Sequence, residues 1–186
     1  MRLKLAFLLP MAQLPLALFL LRWGEHVSAV MQRRYDTLYA PTPALVCAGI
    51  NAPARLLEAT SHFFYRVDHS PPTILGFDLD FVFFLVGIIV LWLLVGWALD
   101  KRRSPAEPRS AWSPARFLFV GVPLSLMGAL FLYFSVQGFM TPWRFNNQTG
   151  NIVHSIFLLL WSLVFLSIPA TKVFRRLNVS PPMTPD

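Results

Sequence analysis

The stretch FVFFLVGIIVLWLLVGWAL, residues 81–99, runs for nineteen residues without a charge or a proline and is bracketed by Asp80 and Asp100. At 1.5 Å of rise per residue it extends about 28 Å as a helix, close to the ~30 Å hydrocarbon core of a bilayer. Lipid offers backbone N–H and C=O groups no partner, so a segment of this kind satisfies them internally and reads as a transmembrane α-helix.

Three further runs extend the reading outward. Leu5 to Leu21 is uncharged but contains Pro10 and Pro15; Phe117 to Met140 contains Gly121, Pro123, Gly128 and Gln137; Ile152 to Ala170 contains His154 and Pro169. Membrane helices tolerate proline and glycine where neighbours re-satisfy the freed carbonyls, so all three qualify as spans, with kinks predicted near Pro15 and Pro123. Composition agrees, because 55% of the chain is apolar and only 13% is charged, about half the charged share of a soluble domain.

The basic residues orient the spans. With the N-terminus inside, the cytoplasmic segments hold ten of the sixteen Lys and Arg, among them Lys101, Arg102, Arg103, Arg109 and Arg116 in one loop. Basic density is then roughly threefold higher inside than outside, as the positive-inside rule requires. The six outer acids, Glu25, Asp36, Glu58, Asp68, Asp78 and Asp80, cancel the six outer arginines, which places the formal +7 on the cytoplasmic side. This charge fits anionic lipid and not nucleic acid, since no aromatic recognition module is interleaved with it. Trp23 and Trp143 fall at the predicted outer boundary and Trp97 and Trp112 near the inner one, where indole rings are favoured.

The predicted fold is an all-α membrane protein of about four transmembrane helices, N-in and C-in, in the cell (inner) membrane. Residues 1–24 form the first span. They are read as an uncleaved signal anchor, because Arg22 and Glu25 separate the apolar run from the small-residue site Val27-Ser28-Ala29. Residues 25–76 are predicted as an amphipathic helical cap on the outer face between helices 1 and 2. One cap helix, separate or continuous with the first span, covers 25–39 and is ended by Pro41 and Pro43; a second starts at Asn51 as N-cap, with Pro53 in its first turn. Residues 77–171 hold three spans around the basic loop 100–116, and 172–186 form a cytoplasmic tail rich in proline.

Chemistry is sparse. The single cysteine, Cys47, excludes a paired-thiol relay and reads as a small apolar residue. Glu58 and His62 lie four apart, with Asp68, His69 and His26 nearby, but this matches no metal motif, and no metal or cofactor is assigned. Asp78 and Asp80, two apart, point to different helix faces and read as the polar end of a span. On the last span Asn147, Asn151, His154, Ser155 and Ser162 recur at helical spacing as a polar stripe, read as an inter-helix seam or the entrance to a pathway. Gly121, Ser125 and Ala129 repeat every four residues and predict a helix-packing face on the third span. Asn147-Gln148-Thr149 also matches the glycosylation acceptor pattern.

No catalytic residue set emerges, and the chain reads as leaning non-enzymatic. The favoured function is an accessory, assembly or stability subunit of a membrane complex, partnered by the bilayer and by another membrane protein or by copies of itself. The alternative is a small oligomeric transporter or ligand-binding membrane protein using the stripe.

Overall fold

The computed structural model describes residues 4–35, 40–61, 73–74, 77–103, 113–141 and 147–177. Four helices in it are long and apolar enough to cross a membrane, so the architecture is that of a multi-pass membrane protein. They are α1 (Leu5–Tyr35), α4 (Leu79–Arg103), the run Pro114–Met140 and α7 (Gln148–Leu177). Most of the surface of each is left uncovered by protein, as suits helices whose outward side chains meet lipid.

Two shorter helices, α2 (Thr42–Ile50) and α3 (Arg55–Ser61), are joined by a 3₁₀ turn at Ala52–Ala54. A two-residue antiparallel pair, β1 (Thr73–Ile74) with β2 (Phe77–Asp78), leads into α4. The third span begins as a single turn, α5 (Pro114–Arg116), passes through a π turn at Phe117–Gly121 and continues as α6 (Val122–Met140). The π turn ends immediately before Pro123, which has no N–H to donate and whose ring crowds the carbonyl four residues back; widening the preceding turn accommodates both defects. Pro10 and Pro15 lie inside α1 without ending it.

The spans form two antiparallel pairs, α1 with α4 and α6 with α7. At one end of the first pair the Asp100 carboxylate accepts hydrogen bonds from the N–H groups of Leu5 (3.1 Å) and Ala6 (3.0 Å). A carboxylate on α4 thus caps the N-terminus of α1, satisfying two of its orphan donors and complementing its dipole. In the second pair Ser135 Oγ donates to the Ser155 carbonyl at 2.8 Å.

The predicted cap is resolved differently. Its first part continues α1 to Tyr35, as one of the two expectations had it, and Pro41 and Pro43 open α2: Pro41 occupies the N-cap and Pro43 lies in the first turn, where a missing N–H is harmless. The α2–α3 hairpin does not lie across the helix ends. It is wedged lengthwise between the two pairs, with α2 against α7 and α1, and α3 against α4. Descent is marked by Thr42 beside Asn147, Leu45 beside His154 and Ile50 beside Trp161; return is marked by Ala54 against Gly87 and Ser61 hydrogen-bonded to Asp80. Gly87 lies eight residues into α4, so the tip is about 12 Å or more below the Asp80 end of the bundle. A Cβ at Gly87 would fall 2.6 Å from the Ala54 carbonyl oxygen, and one at Gly49 would fall 2.9 Å from Phe157 Cβ. Both close approaches require glycine.

The predicted packing face on the third span is only partly covered within the chain. Gly121 is buried, but Ser125 is only half-buried and bonds back to the Gly121 carbonyl, while Ala129 is exposed. The face that meets α7 is the next one round, Gly128, Phe131, Ser135 and Gly138, chosen because it lies opposite Ser155 and Leu166.

Candidate functional site: the hairpin turn and its flanking clefts

A turn set deep among apolar helices leaves backbone groups that water does not reach, and each needs a protein partner. Asn51 supplies most of them. Its Nδ2 donates to the Cys47 carbonyl at 3.0 Å, its backbone N–H donates to the same carbonyl, and its own carbonyl accepts from Ala54 N–H. The Asn51 side-chain oxygen accepts from Trp92 Nε1 (2.8 Å) on α4 and from Gln13 Nε2 (3.4 Å) on α1. Trp161 Nε1 on α7 donates to the Ile50 carbonyl at 3.0 Å. Side chains from three spans therefore converge on one turn. Below it the Trp92 and Trp161 rings meet edge to face, 6.4 Å between centroids, and close the gap between the helix pairs. Asn51, predicted to cap a helix that follows it, stands at the N-cap of the 3₁₀ turn and also at the C-cap of α2, where its side chain bonds back to Cys47 and makes no N-cap bond.

Cys47 is buried, with Ala17 carbonyl 3.8 Å from its sulfur, in the small core formed with Leu20, Ala54, Phe84 and Ile88.

The predicted polar stripe divides in two. Asn147 is buried and fastens the start of α2: its Nδ2 donates to the Ala40 carbonyl (2.7 Å) and to Thr42 Oγ1 (3.0 Å), while its Oδ1 accepts from Gly150 N–H. An asparagine so engaged does not suit a glycan acceptor. Ser155 Oγ bonds back to the Asn151 carbonyl at 2.8 Å at the α6 interface, and Asn151 is buried beside it. Ser162 is fully buried one turn beyond Leu158, its hydroxyl without a partner among the described residues. Asn147 thus ties α7 to the hairpin, and Ser155, whose carbonyl accepts from Ser135, ties it to α6.

His154 faces the hairpin. Its Nδ1 lies 3.1 Å from the Leu45 carbonyl, which can only accept, so Nδ1 bears the proton and Nε2 of the neutral ring is an acceptor. It lines a cleft of about 410 Å³ between the hairpin and the α6–α7 pair. Exposed Leu56 on α3 and Leu130 and Phe134 on α6 stand on its rim, so it opens sideways. Its deeper wall is apolar, from Phe131, Leu158 and Ala52, and its remaining polar lining is Arg55, Gln137, Thr141, Asn151 and Ser155.

Arg55, which sequence reasoning passed over, also lines a second cleft of about 380 Å³ on the other side of the hairpin, with Glu58, Asp78 and Asp80. Its guanidinium forks onto Glu58 through Nε (2.9 Å) and Nη2 (3.0 Å). Nη1 has no protein acceptor among the described residues, and neither does the Gln137 amide.

Of the acids and histidines weighed and not assigned as a metal site, His62, Asp68 and His69 lie outside the described residues, as do Trp112 and Trp143. Among the described residues no group of three His, Cys, Asp or Glu side chains is placed to hold a metal ion. Trp97 is exposed, with Lys101 Nζ 5.4 Å over its ring, as expected at a bilayer edge. In comparisons with known proteins, no family model, no curated protein and no solved structure matches the chain.

Proposed function

We propose that this chain is a non-enzymatic four-span protein of the cell (inner) membrane that takes an amphiphilic ligand sideways from the outer leaflet into the cleft beside Arg55. Both termini lie in the cytoplasm on this reading, supported by the threefold excess of basic density in the segments so assigned. The Asp80 end then faces outward. The α2–α3 hairpin becomes a re-entrant element, entering from the outer side and turning back about half-way through the ~30 Å core, in place of a cap lying on the surface.

The observation behind the proposal is the composition of the lateral cleft: an apolar wall with Arg55, Gln137 and His154 near its outward end. Its size falls in the range of ligand sites, about 300–1,000 Å³, and a few convergent polar groups on an apolar wall are what such sites present. An ionisable residue at membrane depth is costly and points to a functional site when it lines a cavity. The engagement of Asn147 and Ser155 in hydrogen bonds favours a seam over a conduit on the stripe.

A second reading is the accessory, assembly or stability subunit that composition favours. It is supported by a shallow groove of about 470 Å³ near the other end of the second pair, lined by Phe117, Ser125, Leu166 and Phe174 and suited to a partner helix.

The test is quantitative mass spectrometry of small molecules bound to the chain after gentle-detergent purification, for the natural sequence and for Leu56→Trp, which fills the mouth of the cleft. A bound amphiphile near one per chain, depleted several-fold in Leu56→Trp, is the expected result. Equal retention by both, or none by either, rejects the cleft. Recovery of a stoichiometric second polypeptide with no small molecule favours the accessory subunit.

A further inference from the structure

From the donor set of the lateral cleft, and resting on the ligand-binding reading above, we infer that its occupant is an anionic phospholipid of the outer leaflet, its phosphate held by Arg55 and Gln137 and an acyl chain laid on the apolar wall.

The placement of the groups sets the ligand's orientation. Gln137 lies about one turn from the end of α6, and His154 lies seven residues, about 10 Å, along α7 from Asn147. Arg55 opens α3 directly after Ala54, which sits against Gly87, about 12 Å below the start of α4. Its long side chain turns back toward the outer end to meet Glu58 one turn further along. The polar groups thus occupy the depth of a headgroup drawn slightly below the surface, and Phe131, Leu130 and Leu158 continue below them at acyl-chain depth.

The chemistry of the free valences selects the headgroup. Glu58 engages Nε and Nη2 of Arg55, and both N–H groups of Nη1 are left to donate. The Gln137 amide adds two more donors, and an amide without a partner among the described residues near the end of a membrane helix is poorly satisfied by lipid tails. An oxyanion with several lone pairs answers these donors, and arginine bonds to phosphate are among the stronger hydrogen bonds. His154 Nε2, an acceptor in the neutral ring, suits a hydroxyl on the same headgroup. A choline headgroup has no N–H or O–H to offer that acceptor and places a second cation beside Arg55. The site therefore discriminates by charge, and phosphatidylglycerol fits it better than phosphatidylcholine.

The experiment uses the full chain in detergent, titrated with phosphatidylglycerol or phosphatidylcholine of matched acyl chains and read by native mass spectrometry. The natural sequence is expected to retain phosphatidylglycerol about tenfold or more over phosphatidylcholine. Arg55→Gln is expected to erase most of that preference while still binding lipid, Gln137→Leu to reduce it, and Arg55→Lys to keep part of it. Glu58→Gln, which releases the competing carboxylate, is expected to strengthen it. Equal binding of both lipids by the natural sequence overturns the inference but leaves a headgroup-indifferent amphiphile site intact. No lipid retained at all overturns both. A preference unchanged in Arg55→Gln and Gln137→Leu places the anion elsewhere and also overturns it; if Arg55→Gln does not fold, Gln137→Leu and Glu58→Gln decide.

Discussion

Asn51 holds the hairpin turn through side-chain hydrogen bonds to α1, α2 and α4. Hydrogen bonds inside membrane proteins contribute about 0.6–2 kcal/mol each, and the partners left behind also lose their acceptor. Asn51→Leu is therefore expected to cost about 2–4 kcal/mol, read as a lower midpoint in an SDS unfolding titration. Trp92→Phe, which removes one of the three, is expected to cost about 1 kcal/mol. If Asn51→Leu unfolds at the same SDS fraction as the natural sequence, the turn is not held in this way. A similar argument applies to Asp100, whose carboxylate caps α1. Asp100→Ala is expected to lose about 1 kcal/mol in the same assay, the usual worth of an N-cap. Neither residue stands out in the sequence by type. Asn51 reads as a helix start because Pro53 follows it, and it does open the 3₁₀ turn; that it also closes α2 and receives a distant indole is not visible in its type or spacing. The two tryptophans themselves are the legible clue: Trp92 and Trp161 fall in the middle of spans, away from the interface where the ring is favoured, so each indole N–H needs a buried acceptor.

The elements were legible in proportion to their apolar length. Residues 81–99 and the three further runs declare spans because nothing else hides so many consecutive apolar side chains, and all four are helices here. The hairpin is the element whose depth the sequence leaves open, because its helical spacing suits a surface layer while its uncharged length suits burial. Thr42 to Ala54 is thirteen residues without a charge, and an apolar stretch of about 10–14 residues is the mark of a re-entrant or buried helix. Arg55 was passed over for the same reason, since on a surface helix an arginine is unremarkable. The spacing of the predicted stripe is a property of α7 itself, but which neighbour each member faces depends on where the hairpin sits: Asn147 and His154 bond to the hairpin, and the Ser155 carbonyl accepts from Ser135 on α6. Cysteine accessibility tests that position. In a Cys47→Ala background, an impermeant maleimide added from outside is expected to label Ala40→Cys and Ala59→Cys but not Ala52→Cys. Labelling at Ala52→Cys from outside, or of the first two from opposite sides, removes the re-entrant reading.

At the scale of the whole molecule, the orientation rests on charge asymmetry, and reporter fusions test it directly. Fusions after Lys101 and after Leu177 are expected to report the cytoplasm, and a fusion after Ser61 the opposite side; the reverse pattern inverts the bundle and moves the lateral cleft to the cytoplasmic leaflet. The two helix pairs touch through the hairpin and the Trp92–Trp161 contact, so the hairpin is the joint between them. That joint has a consequence for how the chain is made. Its turn is bonded to Trp92, 41 residues later than Asn51, and to Trp161, 111 residues later than Ile50. A ribosome delivers the hairpin well before either indole exists. Asn51 finds Gln13 and Cys47 at once and Trp92 when α4 is made, but the Ile50 carbonyl gains its Trp161 partner only with the final helix, so the turn's set of bonds closes only when synthesis is nearly complete.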